Sequence, residues 1–309
     1  MSDLLVLVTG ATGSHGQTGA HVVRRLREQG ASVRVLARAQ SARTDELSDL
    51  GAEIFIGDLL ERNTLLKAVA DTTHVTFTWP IAAGAVEAAA NFAGAIKEAA
   101  ARPRVFVTSM GPAHPQHPSH LGRRQWLAEE VLQWAGLDLR VLRIPALFYE
   151  NISTLHGQSI RSQSIIRNSF GYHKVPWISG QDAALLVAEA IIAPHRFEDR
   201  AIQYPPGSEL LDHAEIAAIL SERLGRTIAF EPVSAEAWKE ELNEIAKATP
   251  GGPVNVDMAR HISAVGASFS LGRTPPAAPD GAKLEELIDR PPLHFRTWLD
   301  EELARGRLV

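Results

Sequence analysis

The chain of 309 residues contains no cysteine. Disulfides, thiolate metal sites and cysteine nucleophiles are therefore excluded from any account of its chemistry. Tyrosine is nearly as scarce, with three residues in all and none before position 149. No dense block of Lys or Arg occurs and the formal charge is −5, so direct binding to nucleic acid or to an anionic membrane is not expected. No apolar run is long enough to span a bilayer. The first apolar run reads as a strand rather than the core of a cleavable leader, so a cytoplasmic location is expected. What the chain does have is 45% hydrophobic residues, enough for a substantial core, and 22% charged residues, too few for a disordered chain.

The most informative segment comes first. Leu4–Val8 is an apolar strand, Thr9-Gly10-Ala11-Thr12-Gly13-Ser14-His15-Gly16-Gln17-Thr18-Gly19 is a glycine-rich turn, and the residues from Ala20 read as a helix. Glycines between a buried strand and a helix let the backbone turn tightly and approach a ligand. The free N–H groups of the first helical turn then face an anion, typically a dinucleotide pyrophosphate. The strand before, the helix after and the spacing beyond are the context this motif requires.

Strand-like and helix-like segments then alternate. Strands are expected at 32–37, 53–57, 74–78, 104–108 and 139–143, and helices at 19–29, 61–70, 85–101 and 121–135. Such alternation predicts right-handed crossovers and an α/β fold, a Rossmann-type doubly wound parallel sheet. After about residue 145 helices dominate, expected at 157–167, 180–193, 213–224, 235–248 and 254–265. Strand candidates lie at 200–204 and 227–230, a Pro/Gly/Ala loop at 271–282 and a last amphipathic helix at 295–304. The expected division is a cofactor-binding domain at 1–150 and a smaller, mainly helical substrate lobe at 151–309, interleaved with the last strands of the sheet.

Arg38 ends the second strand, with Ser41 and Arg43 following and no acid before Asp45. An acid there would bind a ribose 2′-hydroxyl, whereas a planar guanidinium suits a 2′-phosphate, so NADP(H) is expected rather than NAD(H). Asp58 and Leu59 end the third strand, where a side chain reaches an adenine or where Asp58 caps the next helix. Trp79 and Pro80 end the fourth strand beside the expected cofactor path, and Thr108 ends the fifth. The cofactor candidates are thus Gly10, Thr12, Gly13, Ser14, His15, Gly16, Arg38, Asp58, Leu59, Trp79, Pro80 and Thr108, with Gly19 at helix packing. Met110, Phe148, Tyr149 and Asn151 are expected around a small-molecule substrate. Asp182 is expected to cap the helix it opens, and Trp126 and Trp134, eight positions apart, to face the core.

The Thr9–Gly13 run, the Gly57-Asp58-Leu59 triplet, the segment Arg143-Ile144-Pro145-Ala146-Leu147-Phe148-Tyr149-Glu150-Asn151 and Gly180-Gln181-Asp182-Ala183-Ala184 together resemble the NmrA-like group of atypical short-chain dehydrogenases/reductases. The resemblance implies a Rossmann-type domain, a C-terminal substrate lobe and NADP(H). Two departures stand out. The glycine turn carries about three extra residues, Ser14-His15-Gly16. The Tyr-x-x-x-Lys pair common in the wider superfamily is absent, because no tyrosine precedes residue 149. Where some NmrA-like reductases place a Lys or His, this chain has Gln125, beside Trp126, and neither titrates near neutrality.

The remaining candidates for proton transfer lie in Gly111-Pro112-Ala113-His114-Pro115-Gln116-His117-Pro118-Ser119-His120. The prolines favour an extended, exposed run, which reads as a lid carrying His114, His117 or His120 as donor, because imidazole titrates near neutrality. No acidic ligand is adjacent, so no metal site is expected. Two functions follow. One is an NADPH-dependent reductase of a small apolar or aromatic acceptor (a quinone, an imine or an activated alkene), which needs little acid assistance. The other is a non-catalytic NADP(H)-binding redox sensor acting through a protein partner. A homodimer is compatible with either.

Overall fold

The computed structural model describes residues 4–13, 15–111, 113–306 and 308. The first half runs β1 (Leu5–Thr9), α1 (Thr18–Glu28), β2 (Ser32–Ala37), α2 (Ala42–Asp49), β3 (Glu53–Ile56), α3 (Arg62–Val69), β4 (His74–Phe77), α4 (Ala85–Glu98), β5 (Arg104–Met110), α5 (His120–Trp134) and β6 (Asp138–Ile144). The second half is more mixed. It runs β7 (Leu147–Phe148), α6 (Glu150–Gln163), β8 (Ile165–Asn168), β9 (Val175–Ile178), α7 (Gly180–Ile192), β10 (Ile202–Gln203), β11 (Glu209–Leu211), α8 (His213–Leu224), β12 (Ala229–Pro232), α9 (Ala235–Ala248), α10 (Val256–Ser270), α11 (Gly281–Ile288) and α12 (Phe295–Ala304).

Seven strands form one sheet in the order β10-β6-β5-β4-β1-β2-β3, every neighbour parallel. This is the Rossmann-type arrangement expected from the alternation. The order reverses between β1 and β4, so the loops at their carboxyl ends diverge and open a crevice. Val6, Leu7 and Val8 of β1 are fully buried, since helices cover both faces of a parallel sheet. One face carries α1 and α7, with Val22, Val23 and Leu26 packed against Leu186, Val187 and Ile191 in a single cluster. The other carries α3, α4 and α5, where small alanines at 88, 89 and 95 bring α4 close to the sheet. A third apolar cluster, built on Tyr149, Trp177, Trp238 and Trp298, is the core of the C-terminal region.

Several local expectations are corrected. Helix α6 begins at Glu150 and ends at Gln163, not at 157 and 167. Ser164 adopts a left-handed conformation (φ 57°) that stops it, and the β-branched Ile165-Ile166 pair goes into β8 against β12. Helix α2 is stabilised by a Ser41–Thr44 capping box rather than by an apolar stripe, and α11 starts within the expected 271–282 loop, capped by Asp280. Ser179, not Asp182, caps α7. The Asp182 carboxylate instead accepts hydrogen bonds from Arg290 (2.5 Å) and from the Leu293 amide (2.8 Å), tying the chain before α12 to α7. Trp134 is 69% exposed and Trp126 half-buried, because α5 turns that side to solvent. No helix among the described residues is long and apolar enough to cross a membrane.

Candidate cofactor and substrate cleft

Beyond the carboxyl ends of β1, β4 and β5 lies a cleft of about 740 Å³, roofed by residues of the C-terminal region. Its first half is built by the glycine turn. Gly10 takes a left-handed conformation (φ 73°), and the Gly13 amide donates to the Gly10 carbonyl at 3.0 Å, closing a tight turn. A Cβ on Gly10 would lie 3.3 Å from Thr78, so a side chain there would narrow the cleft. Gly19 is held closer still: its Cβ would fall 2.5 Å from Ala11 Cα, which is the helix packing expected of it. Helix α1 then starts after Gln17 with no side-chain cap and no acid in its first turn. Its opening amides are free to meet an anion.

Two guanidiniums stand beside that turn. Arg43 donates to the Thr12 carbonyl at 2.7 Å, bracing the turn from α2, while Arg38 makes no ion pair or hydrogen bond among the described residues. Both line the cleft with Thr12 and Gly13. Free amides plus an unspent guanidinium at this end fit a dinucleotide carrying an additional phosphate. Asp58 and Leu59 line the same end; the Asp58 carboxylate accepts the Leu60 amide at 2.9 Å in a turn of its own, and Glu61 precedes α3. Trp79 and Pro80 form the opposite rim, with the Trp79 indole donating to the Ala82 and Ala83 carbonyls (3.2 Å each). Thr108 sits on the floor, accepting a hydrogen bond from the Thr78 hydroxyl at 3.1 Å.

Of the extra residues of the turn, His15 also lines the cleft and packs toward the C-terminal region. Ser14 lies outside the described residues. His15 stacks on Phe148 (ring centroids 5.3 Å apart), and burial lowers its pKa to about 4. Gly16 is buried away from the cleft, where a Cβ would lie 2.8 Å from the Phe148 ring and 3.3 Å from Gly180. The expectation that Gly16 meets the pyrophosphate is thus corrected: the enlarged turn extends toward the C-terminal region and plugs onto Phe148.

The second half of the cleft is lined by Met110, Gln125, Phe148, Asn151, His114 and His117, joined by Met258, His261 and Ile262 of α10. Tyr149 is not among them. Phe148 ends β7 and lines the cleft, whereas Tyr149 takes helical dihedrals (φ −54°, ψ −34°) before α6 and lies outside it. Its fully buried ring stacks near Trp177, and its hydroxyl donates to Glu209 and pairs with Ser208 (2.8 Å). His120 is likewise outside, exposed at the first position of α5. The His-Pro run is not extended either. The Ala113 amide bonds Met110 O and the His117 amide bonds His114 O, giving two consecutive turns clamped by Arg123 on the His117 carbonyl (2.6 Å).

Three groups here, His261, Glu129 and Tyr204, escaped the sequence reading. His261 comes from α10, 142 positions beyond its partner Ser119, and no motif marks it. Ser109 donates to the buried Glu129 carboxylate, which Arg143 also grips at 2.9 and 2.5 Å. Burial pushes the Glu129 pKa up, against those two hydrogen bonds. Arg143 in turn donates to the Tyr204 hydroxyl at 2.8 Å. The Ser109 hydroxyl therefore has its proton committed and can only accept from a ligand.

The sequence pattern of the NmrA-like family matches residues 2–266, most of the chain. The chain belongs to the NmrA-like family. An NAD(P)H azoreductase from Xenophilus azovorans is 31% identical over 241 residues, covering 77% of this chain and 80% of that protein. Among solved structures, an NADPH-dependent quinone oxidoreductase of Escherichia coli in complex with NADPH superposes with a TM-score of 0.77 at 17% identity, covering 96% of this chain and 99% of that one. A Citrobacter sp. triphenylmethane reductase in complex with NADP(H) gives 0.75 at 21% identity over 96% and 99%. These structural likenesses establish the shared fold of this NmrA-like chain.

Proposed function

We propose that this NmrA-like protein is an NADPH-dependent reductase of flat aromatic acceptors. One observation carries the reading: a single continuous cleft joins an anion-receptive glycine turn with two arginines to a largely apolar chamber bounded by Phe148, Met110, Met258 and Ile262. The free α1 amides would hold the pyrophosphate and Arg38, with Arg43, the 2′-phosphate. Thr108 and Ser109, at the end of β5, lie where the nicotinamide would rest. When bound, the nicotinamide supplies a hydride to an electrophilic carbon of the acceptor. The chamber's contribution is to hold that acceptor flat and exclude water, and such positioning supplies much of the rate of a hydride transfer. The relative that reduces azo compounds and the fold neighbours that reduce quinones and triphenylmethane dyes support an aromatic acceptor.

The test is turnover by the purified protein. With menadione or an azo dye, loss of reduced-nicotinamide absorbance is expected, faster with NADPH than with NADH. Tight NADPH binding without consumption of any acceptor would instead favour a dinucleotide-sensing role, a reading prompted by the missing Tyr-x-x-x-Lys pair.

A further inference from the structure

Where the C-terminal region closes over the cleft, two imidazoles from distant segments lie face to face. His117, from the turns before α5, stacks on His261 of α10 with centroids 5.7 Å apart and planes 13° from parallel. Ser119 lies between their inner nitrogens: its hydroxyl is 2.6 Å from His261 Nδ1 and 3.2 Å from His117 Nδ1. The arrangement is built rather than incidental. Gly122 leaves the space for it, because a Cβ there would sit 2.1 Å from His117 Nδ1. Both rings are nine-tenths or more buried, yet both line the cleft.

The hydrogen bonds fix the tautomer of His117. His117 Nδ1 accepts the Ser119 amide at 3.1 Å, so its ring proton is on Nε2. The Ser119 hydroxyl accepts the Gly122 amide at 3.0 Å and keeps one proton to give. That hydroxyl lies 2.6 Å from His261 Nδ1, within reach for its proton to go there. With the serine proton given to His261 Nδ1, that ring also carries its own proton on Nε2. Neither Nε2 has a partner among the described residues, and neither is sealed from the cleft. Burial holds both imidazoles neutral, at about 4 for His117 and about 3 for His261. A neutral N–H donates to a lone pair without presenting a charge.

We propose that His117 and His261 form a paired Nε2–H clamp for the acceptor substrate, selecting neutral aromatic molecules with an in-plane lone pair, on a carbonyl oxygen or an azo nitrogen, over cationic ones. Ser119 is the positioning residue: it caps α5 and aims both rings. The clamp deepens the reductase reading and rests on it for the identity of the ligand. It also accounts for the position of α10, which places the second ring 142 residues along the chain from Ser119.

The test is titration calorimetry with menadione, azobenzene and crystal violet, with and without saturating NADP⁺. In His261→Phe and in His117→Phe, which keep a flat ring but lose the donor, menadione affinity falls about five- to tenfold, the worth of one net hydrogen bond. Azobenzene affinity falls alongside that of menadione, and an azobenzene affinity unchanged in both variants would overturn the clamp's reach to azo nitrogen. Crystal violet and NADP⁺ bind the variants as they bind the parent protein, and His261→Gln, which restores an N–H, recovers menadione binding. Nitrogen-15 histidine spectra of the unaltered protein give a second readout independent of variant folding: two Nε2–H signals that move with menadione and stay put with crystal violet. Unchanged menadione affinity in both variants, an equal loss for crystal violet, a bare Nε2 on either ring or no menadione binding at all would overturn the proposal. Menadione binding with moving histidine signals but no NADPH consumption would sink the reductase reading and leave the clamp standing.

Discussion

At the scale of single residues, charge and hydrogen-bond inventory decide what each side chain can do. Arg38 has no partner among the described residues, so removing it is expected to cost the fold little and the cofactor much. Arg38→Ala is expected to weaken NADPH about ten- to a hundredfold, the range for a charge-assisted hydrogen bond, while leaving NADH nearly unaffected. Equal weakening of both nucleotides in a binding titration would refute a 2′-phosphate role. The place of Arg38 in the cleft lining was readable from the chain because it stands directly after β2. Tyr149 was misread for the converse reason: composition near a motif says nothing about which way a side chain faces. Its hydroxyl is spent on Ser208 and Glu209, so Tyr149→Phe should cost about 1–2 kcal/mol in denaturant unfolding and leave KM for the acceptor unchanged.

At the scale of elements, the strand–turn–helix unit at the start of the chain is both the most legible and the least tolerant of change. Gly19 touches backbone on the opposite side of the turn, and no rotamer relieves a Cβ 2.5 Å from another Cα. Gly19→Ala is therefore expected to push α1 off the turn and abolish dinucleotide binding; retained affinity would show that the turn does not form the cradle. The boundaries of α6 and β8 were illegible because the deciding event, a left-handed Ser164, has no residue signature of the sort glycine provides. Helices α2 and α11 escaped because their ends are set by caps at Ser41 and Asp280 rather than by an apolar stripe. The His-Pro segment looked extended from its prolines, yet backbone bonds 113→110 and 117→114 fold it into turns that deliver His114 and His117 to the cleft while α5 carries His120 outward.

At the scale of the whole molecule, the parallel sheet and its helices follow from periodicity that any reader of the chain can count. The cleft's far wall does not, since it depends on α10 returning against α5 from another core. That assembly has a pH signature. His156 and His261 are buried neutral, with folded pKa values of about 3 against 6.5 when unfolded. The unfolded chain binds the extra protons, so stability is full above about pH 6.5 and falls as pH drops, by about 2 kcal/mol per residue at pH 5. Glu150 works in the opposite sense. Burial raises its pKa to about 7 while it accepts the Gly180 amide at 3.1 Å, so its contribution declines as pH rises from 4.5 through 7. Glu150→Gln keeps an acceptor for that amide and should flatten the decline in pH-dependent melting curves; an unchanged slope would place the titration elsewhere.

The proposed reductase needs one cleft to hold NADPH and a flat aromatic acceptor together. Stopped-flow mixing of the protein–NADPH complex with menadione decides whether it does. The expected record is a single-turnover decay of the reduced-nicotinamide signal whose rate saturates with menadione, with Arg38→Ala requiring more NADPH to reach the same amplitude. A flat trace from a protein that calorimetry finds unable to bind NADPH would contradict it.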